Sequence, residues 1–408
     1  MITQKHILRM AFASFLLALN SVTAQNWMLT TAPGLHWKCI AASADGIRLA
    51  AVIGGQAPAL GAIFVSTNSG ATWEPTSSPS LRWQCVASSA DGRVLVAGSS
   101  FSGSAIYVST NSGLTWASTP TPGVYWSSAA SSSDGRKLIV GAGPFFSGLP
   151  GPIYTSSDSG ATWNTNNVPN RYWRGVASSS DGTELVATPY GGGSYLPIYR
   201  STNSGASWST SSLTNRSWSC VASSADGTKL VAAGDPAGIY TSTDSGVTWG
   251  LTTAPTGYYQ SVASSADGNT VIAVTDFNNA SSGPGPVFTS ADAGATWASN
   301  NLSGVLWQTA SSSADGSRLV VAGVSNIFAN VGGRIYISPP AVLLSGTLSG
   351  SSIVLSWPTN ATRFELEQNL DLAMRNWISV PDAHAVTNGQ NQVLLPLTND
   401  TVFFRLKQ

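Results

Sequence analysis

Short apolar runs broken by small polar turns recur along almost the whole chain, and their length suits strands rather than helices. The clearest stretch spans residues 218–249. Trp-Ser-Cys-Val-Ala-Ser-Ser at 218–224 predicts an inner strand, followed by an Ala-Asp-Gly turn. Lys229–Ala233 predicts a second strand, Gly238–Ser242 a third, and Thr248 onward an outer one. At Ser242-Thr243-Asp244-Ser245-Gly246 the Asp side chain is placed to accept hydrogen bonds from backbone N–H groups two residues on, while Gly246 permits positive φ. Trp249 is expected to cover this hairpin from the outer strand.

The same four-strand pattern repeats. A tetrad Ser/Ala-Ser/Ala-Asp-Gly occurs seven times, with its Asp at 45, 91, 134, 181, 226, 267 and 315, at spacings of 46, 43, 47, 45, 41 and 48 residues. Eight residues before each Asp stands an aromatic: Trp37, Trp83, Trp126, Trp173, Trp218, Tyr259 and Trp307. A second motif, Ser-x-Asp/Asn-x-Gly-x-Thr/Ser-Trp, ends at Trp73, Trp116, Trp163, Trp208, Trp249 and Trp297, each ten residues before the next aromatic. Four strands per unit of about 45 residues describe the blade of a β-propeller.

The ends of the array complement each other. Trp27 lies ten residues before Trp37, so it holds the position of an outer-strand Trp without the strands that should precede it. The seventh unit runs through Trp307, Asp315 and Ile335–Ser338 and stops before any such Trp. An N-terminal strand that completes the last unit removes the unpaired edges of an open array. The expected fold is all-β: a seven-bladed β-propeller over 25–338 closed by the N-terminal strand, then a small β-sandwich over 339–408. Pro339-Pro340 marks the boundary, and strands are expected at 353–357, 364–367, 377–380, 392–395 and 402–406.

Composition narrows the partners. Lys+Arg and Asp+Glu number 19 each, so the formal net charge is zero, and only five lysines are present. That balance argues against nucleic acid and against a polybasic membrane anchor. Charged residues make up 9% of the chain, against about 25% in an average soluble protein. With 41 Gly and 21 Pro, this suits many short strands joined by tight turns. Residues 1–24 read as a signal peptide: Lys5, His6 and Arg9 precede the apolar run Met10–Leu19, and Val22-Thr23-Ala24 offers a cleavage site. The mature chain is expected to be secreted or periplasmic, monomeric and without membrane insertion. Cys39, Cys85 and Cys220 all stand two residues after the inner-strand Trp, where other units carry Ser128, Gly175, Ser261 and Thr309. They read as free core thiols, with a Cys39–Cys85 bridge as the alternative.

The sequence Ser-Thr-Asp-Ser-Gly-Val-Thr-Trp at 242–249 resembles the Asp-box, or BNR repeat, of sialidases, other glycoside hydrolases, sortilin-like receptors and photosystem II assembly factors. The resemblance covers 25–338 and implies a structural role for Asn68, Asn111, Asp158, Asn203, Asp244 and Asp292, on the side away from a binding site. Asn at three of the six positions makes the same local bond without a charge. The tail resembles a shortened fibronectin type III module, implying a spacer, adhesion or sorting role.

Candidate chemistry is sparse. After the tetrad and Asp-box aspartates are set aside, only Glu74, Glu184, Asp235 and Asp276 remain as acids in 25–338. Glu74 and Glu184 read as solvated. Asp235 and Asp276 each lie nine residues after a tetrad Asp, at equivalent places in the loops that follow the second strand. Arg171, Arg174 and Arg216 approach the same sector, and Tyr190 and Phe277 are unrepeated aromatics on these loops, as are Phe101, Phe145, Phe146, Tyr195 and Phe328. Sialidase-like enzymes hold a substrate carboxylate with an Arg cluster, but this chain lacks their Arg-Ile-Pro segment and a Glu-Tyr pair. His36 and His384 fall in different domains and the cysteines are dispersed, so no metal site, cofactor or Ser-His-Asp triad is expected. The expected function is an exported, non-catalytic propeller that binds a glycan or an extracellular protein through its upper loops. The alternatives are a divergent sialidase-like glycoside hydrolase using the Asp235–Asp276 pair, and a structural envelope or matrix protein.

Overall fold

The computed structural model describes residues 27–407 apart from 55–60, 101–104, 144–149, 192–195, 214–216, 236–237, 276–284, 301, 303–304, 326–331, 339–344, 359–364, 371–376, 381–384, 388–389 and 397–401. The proposed signal segment lies outside the described residues. The chain divides after Pro339 into two compact units.

All regular structure among the described residues is strand. The larger unit contains seven four-stranded antiparallel sheets. Six of them take their strands in chain order from one sequence repeat, as in Ser217–Ser223, Leu230–Asp235, Gly238–Ser242 and Gly250–Leu251. In the seventh, Leu306–Ser312, Leu319–Val324 and Arg334–Ile337 are completed by Met28–Leu29, with Met28 opposite Ile337 and Leu29 opposite Tyr336. Thr30 N–H also donates to the carbonyl of Ile335.

A cycle of backbone hydrogen bonds links the tetrad turns. The N–H of Ala44 donates to Ala90, Ala90 to Ser133, Ser133 to Ser180, Ser180 to Ala225, Ala225 to Ala266, Ala266 to Ala314, and Ala314 back to Ala44. Side chains follow the same order. The residue three after each tetrad Asp covers the tetrad glycine of the next unit: a Cβ at Gly92 would lie 2.6 Å from Arg48 Cδ, and one at Gly46 would lie 2.9 Å from Arg318 Cδ. These glycines have positive φ, so the turn and the close approach both require them.

Inner-strand aromatics form the core. Trp37, Trp83, Trp218 and Trp307 are fully buried, and Trp126, Trp173 and Tyr259 nearly so. Each meets an aromatic of the third strand of its own sheet, as Trp173 meets Tyr199 edge-on at 5.3 Å and Trp37 meets Phe64 at 5.5 Å. This third repeated aromatic position went unnoticed in the sequence. Indole N–H groups also bridge units: Trp83, Trp173, Trp218 and Trp307 donate to the carbonyls of Gly61, Gly151, Leu196 and Gly285 of the preceding repeat.

The turn chemistry differs from expectation in register. Asp244 Oδ1 accepts from the N–H of Thr248, four residues on, at 2.9 Å. It is the tetrad Asp that reaches two residues on, as Asp226 does to Thr228 N–H at 3.0 Å. Ser242 Oγ donates to Asp244 and accepts from Gly246 N–H, while Ser245 and Gly246 both adopt positive φ. Asn203 repeats the pattern, accepting from Ser207 N–H at 2.8 Å. Trp249 is half-buried, 6.3 Å from Trp218, and donates to Gly246.

All ten of these aspartates are held below the ordinary carboxylate range. For Asp181 the Ser179 hydroxyl leads, and for Asp244 the Thr248 hydroxyl; each falls to about 2. In Asp45 and Asp315 partial burial opposes the same bonds without cancelling them. A depressed folded-state value gives stability that is complete above the unfolded value near pH ~4 and is lost as pH falls through the folded one. Melting temperature should therefore hold from neutrality to about pH 4 and fall steeply towards pH ~2. Replacing Asp158, Asp244 and Asp292 together by Asn should flatten that slope, as thermal melts at graded pH would reveal. An unchanged slope would contradict the assignment.

In the smaller unit, Ser345–Ser349, Ser352–Pro358, Gln390–Pro396 and Ala385–Thr387 form one sheet, and Ile378–Ser379, Glu365–Asn369 and Phe403–Lys407 another. Leu355, Trp357, Leu366 and Val393 form a buried core drawn from both. Ser345–Ser349 and Ala385–Thr387 were not anticipated from sequence.

Candidate functional site

In all seven units the inner strand carries a β-bulge between the core aromatic and the residue two beyond it. A bulge inserts one extra residue and re-aims its side chain. The bulged residues are Lys38, Gln84, Ser127, Arg174, Ser219, Gln260 and Gln308, all half-buried. Every one is polar, two are cationic and none is acidic. Inner strands of neighbouring sheets pack side by side around the unit, including the first against the seventh. Lys38 Nζ accordingly donates to Gln308 Oε1 at 3.0 Å. Ser127 and Ser219 donate to the Gly141 and Ala233 carbonyls of their own second strands.

The residue before each aromatic adds a second row at the same end of the strand: His36, Arg82, Tyr125, Tyr172, Ser217, Tyr258 and Leu306. Tyr258 is exposed, while Arg82, Tyr125 and Tyr172 are half-buried. The loops after the second strands leave the sheet at this end, as shown by Gly54, Ser100 and Gly143 donating to the carbonyls of His36, Arg82 and Tyr125. The tetrad turns and the turns that hold Asn68, Asn111, Asp158, Asn203, Asp244 and Asp292 occupy the other end.

Some of the residues expected from sequence converge. The Arg174 guanidinium lies 5.2 Å from the centre of the Tyr190 ring, a cation–π distance, and Tyr190 sits opposite Tyr172 in the ladder. Arg171 pairs with Gly151 in an isolated bridge and donates from Nη1 to the Asn170 carbonyl at 3.1 Å. Asp235 ends the second strand opposite Ser217 rather than standing in the loop beyond it. Arg216, Asp276 and Phe277 lie outside the described residues, as do Phe101, Phe145, Phe146, Tyr195, Phe328 and His384. Glu74 is exposed on an outer strand. Glu184, expected to be solvated, is half-buried against the tetrad turn of the next unit, where a Cβ at Gly227 would lie 2.4 Å from its own; burial raises its carboxyl.

The cysteines are free thiols, so no Cys39–Cys85 bridge is present. Cys85 and Cys220 are buried and Cys39 is partly so. Burial pushes all three upward, Cys220 to about 11, which leaves them unreactive at neutral pH. Their position lies on the seam between units: Cys39 Sγ reaches the Val86 carbonyl of the next unit, and Ser128, Ser261 and Thr309 accept from Val176, Ala310 and Ile40 N–H groups of theirs. Among the described residues no three His, Cys, Asp or Glu side chains come together as a metal site.

Sequence reading missed Lys38, Gln84, Gln260 and Gln308. The signal was present, since a polar residue follows the aromatic in every repeat. Its meaning depended on the bulge, which is a property of hydrogen-bond register.

The repeated four-stranded antiparallel sheets define an all-β protein of β-propeller fold. No protein-family model matches the chain, and no curated protein matches it. Solved structures similar in fold include two of YCF48. "YCF48 bound to D1 peptide" is 15% identical over 78% of this chain and 98% of its own, with a TM-score of 0.57. YCF48 from Cyanidioschyzon merolae is 16% identical over 77% of this chain and 98% of its own, with a TM-score of 0.55.

Proposed function

We propose that the chain is an exported, non-catalytic, seven-bladed propeller, closed by its N-terminal strand, that binds a segment of another protein across the face bearing the bulged residues. A fibronectin type III-like sandwich follows it as a spacer or adhesion module. The observation that carries the reading is the double row at the start of the inner strands. It places Lys38, Arg82 and Arg174 with Tyr125, Tyr172 and Tyr258 and holds no carboxylate among the described residues of either row. Arg171 and Tyr190 flank it, and Asp235, opposite Ser217, is the one acid beside it among the described residues. Tyr and Arg are the side chains most enriched in the energetic centres of protein interfaces. The Tyr190 ring holds the Arg174 guanidinium in place, which lowers the ordering cost of binding. The similar fold bound to a peptide supports a protein partner over a glycan. Export rests on the leader-like residues 1–24, and ring closure on the backbone cycle that returns from Ala314 to Ala44.

Panning a random peptide display library against the mature protein tests this. Selected peptides should be rich in Asp and Glu, and Arg174→Ala should weaken them by about tenfold or more in fluorescence anisotropy. Peptides that bind Arg174→Ala and wild type alike would contradict the reading. So would a glycan from which wild type releases product and Asp235→Asn/Asp276→Asn does not, because that result restores the hydrolase.

A further inference from the structure

At the opposite end of the sheets, the seams between neighbouring units provide a built-in comparison. The position three after the tetrad Asp faces the next unit at every seam, and it is cationic at four: Arg48, Lys137, Lys229 and Arg318. Lys229 spends two donors on the Asp267 carbonyl and Asn269 Oδ1. Arg48 donates to Ser112 Oγ above a space of only about 10 Å³, and Arg318 bonds closely to Ser69 Oγ. Lys137 differs. Its ammonium donates to Ser204 Oγ at 3.1 Å and borders a cleft of about 220 Å³ between the third and fourth units.

Thr155, Ser157, Asn164, Ser178 and Ser204 stand around Lys137 in that cleft, Leu138 and Leu185 give it an apolar part, and no carboxylate lines it. Ser157 and Asn164 are exposed. The nearby carboxylates, Asp158 and Asp181, accept from Ser156, Thr162, Ser179 and Thr183, and Asp181 also feels the Lys137 charge without hydrogen-bonding to its ammonium. An ammonium has three donors, so Lys137 retains two for a ligand after Ser204 is served. The volume equals about seven waters of liquid, more than a bare ion fills.

The geometry points to a second binding site, in which Lys137 holds the acidic group of a small hydroxylated anion of sugar-acid size and the surrounding hydroxyl and amide groups take its hydroxyls. This site is independent of the peptide-binding face. Binding of glucuronate, glucose and inorganic sulfate to the mature protein, followed by saturation-transfer NMR and calorimetry, tests it. Glucuronate should bind more tightly than either of the others. Lys137→Met should weaken it by about tenfold or more, as should Ser157→Leu, which fills the cleft from an exposed position. Lys229→Met should bind as wild type does. Failure of wild type to bind glucuronate, equal binding by Lys137→Met, or sulfate or glucose binding as tightly as glucuronate would each overturn the site.

Discussion

Replacing Trp218 by alanine should cost about 3–5 kcal/mol, the range for truncating a buried aromatic. Trp218 is fully buried, packs edge-on to Tyr240 at 5.6 Å, lies 6.3 Å from Trp249, and donates to the Leu196 carbonyl of the preceding unit at 3.1 Å. The substitution opens a cavity inside one sheet and leaves an acceptor on the seam unpaired, so both intra-unit packing and the coupling between units suffer. Trp249→Ala is the matched control. That ring is only half-buried and its N–H bond is local, so its loss should cost clearly less. Urea unfolding of both variants measures the difference. Equal losses would mean that the inner aromatic is not the keystone of its unit.

Removing Trp27–Thr31 should be similarly damaging, although it takes away only a two-residue strand. Met28 and Leu29 are themselves exposed, so little of the effect arises from their side chains. The segment instead pairs the edge of Arg334–Ile337, packs Trp27 against the cluster around Trp307, and reaches the first unit through Thr31 Oγ1 donating to the Ala71 carbonyl at 2.7 Å. Deletion should lower stability by about 3 kcal/mol or more and leave an unpaired edge that promotes self-association. A melt with size-exclusion chromatography reads both. A truncated chain that melts like the intact one and stays monomeric would show that the strand is dispensable.

Much of the architecture is legible in the sequence because one physical problem is solved seven times. An aromatic eight residues before each tetrad Asp must be buried, and a glycine must follow that Asp in the turn, so the period stands out despite variation elsewhere. The orphan Trp27 was readable for the same reason. What escaped was register. Whether Asp244 reaches Thr248 or a nearer N–H depends on turn geometry, and the bulge after each aromatic leaves no residue signature beyond polarity. The alternation of Phe64, Tyr107, Tyr154 and their equivalents hid the third aromatic position, since Phe and Tyr fill it interchangeably. Seam chemistry was half visible. Small residues at the Cys39 position were recognised as buried, but their hydrogen bonds to the next unit join residues more than 40 apart. The binding face was the least legible part, because its residues are the ones that differ between repeats.

The proposed binding face requires that the ring be closed. Amide hydrogen exchange of the intact mature chain tests closure most directly. The N–H of Ala314, which donates to Ala44, should be as strongly protected as those of Ala44, Ala90, Ser133, Ser180, Ala225 and Ala266, because all seven belong to one cycle. Fast exchange at Ala314 alone, with the other six protected, would show an open array and remove the basis for a single binding face.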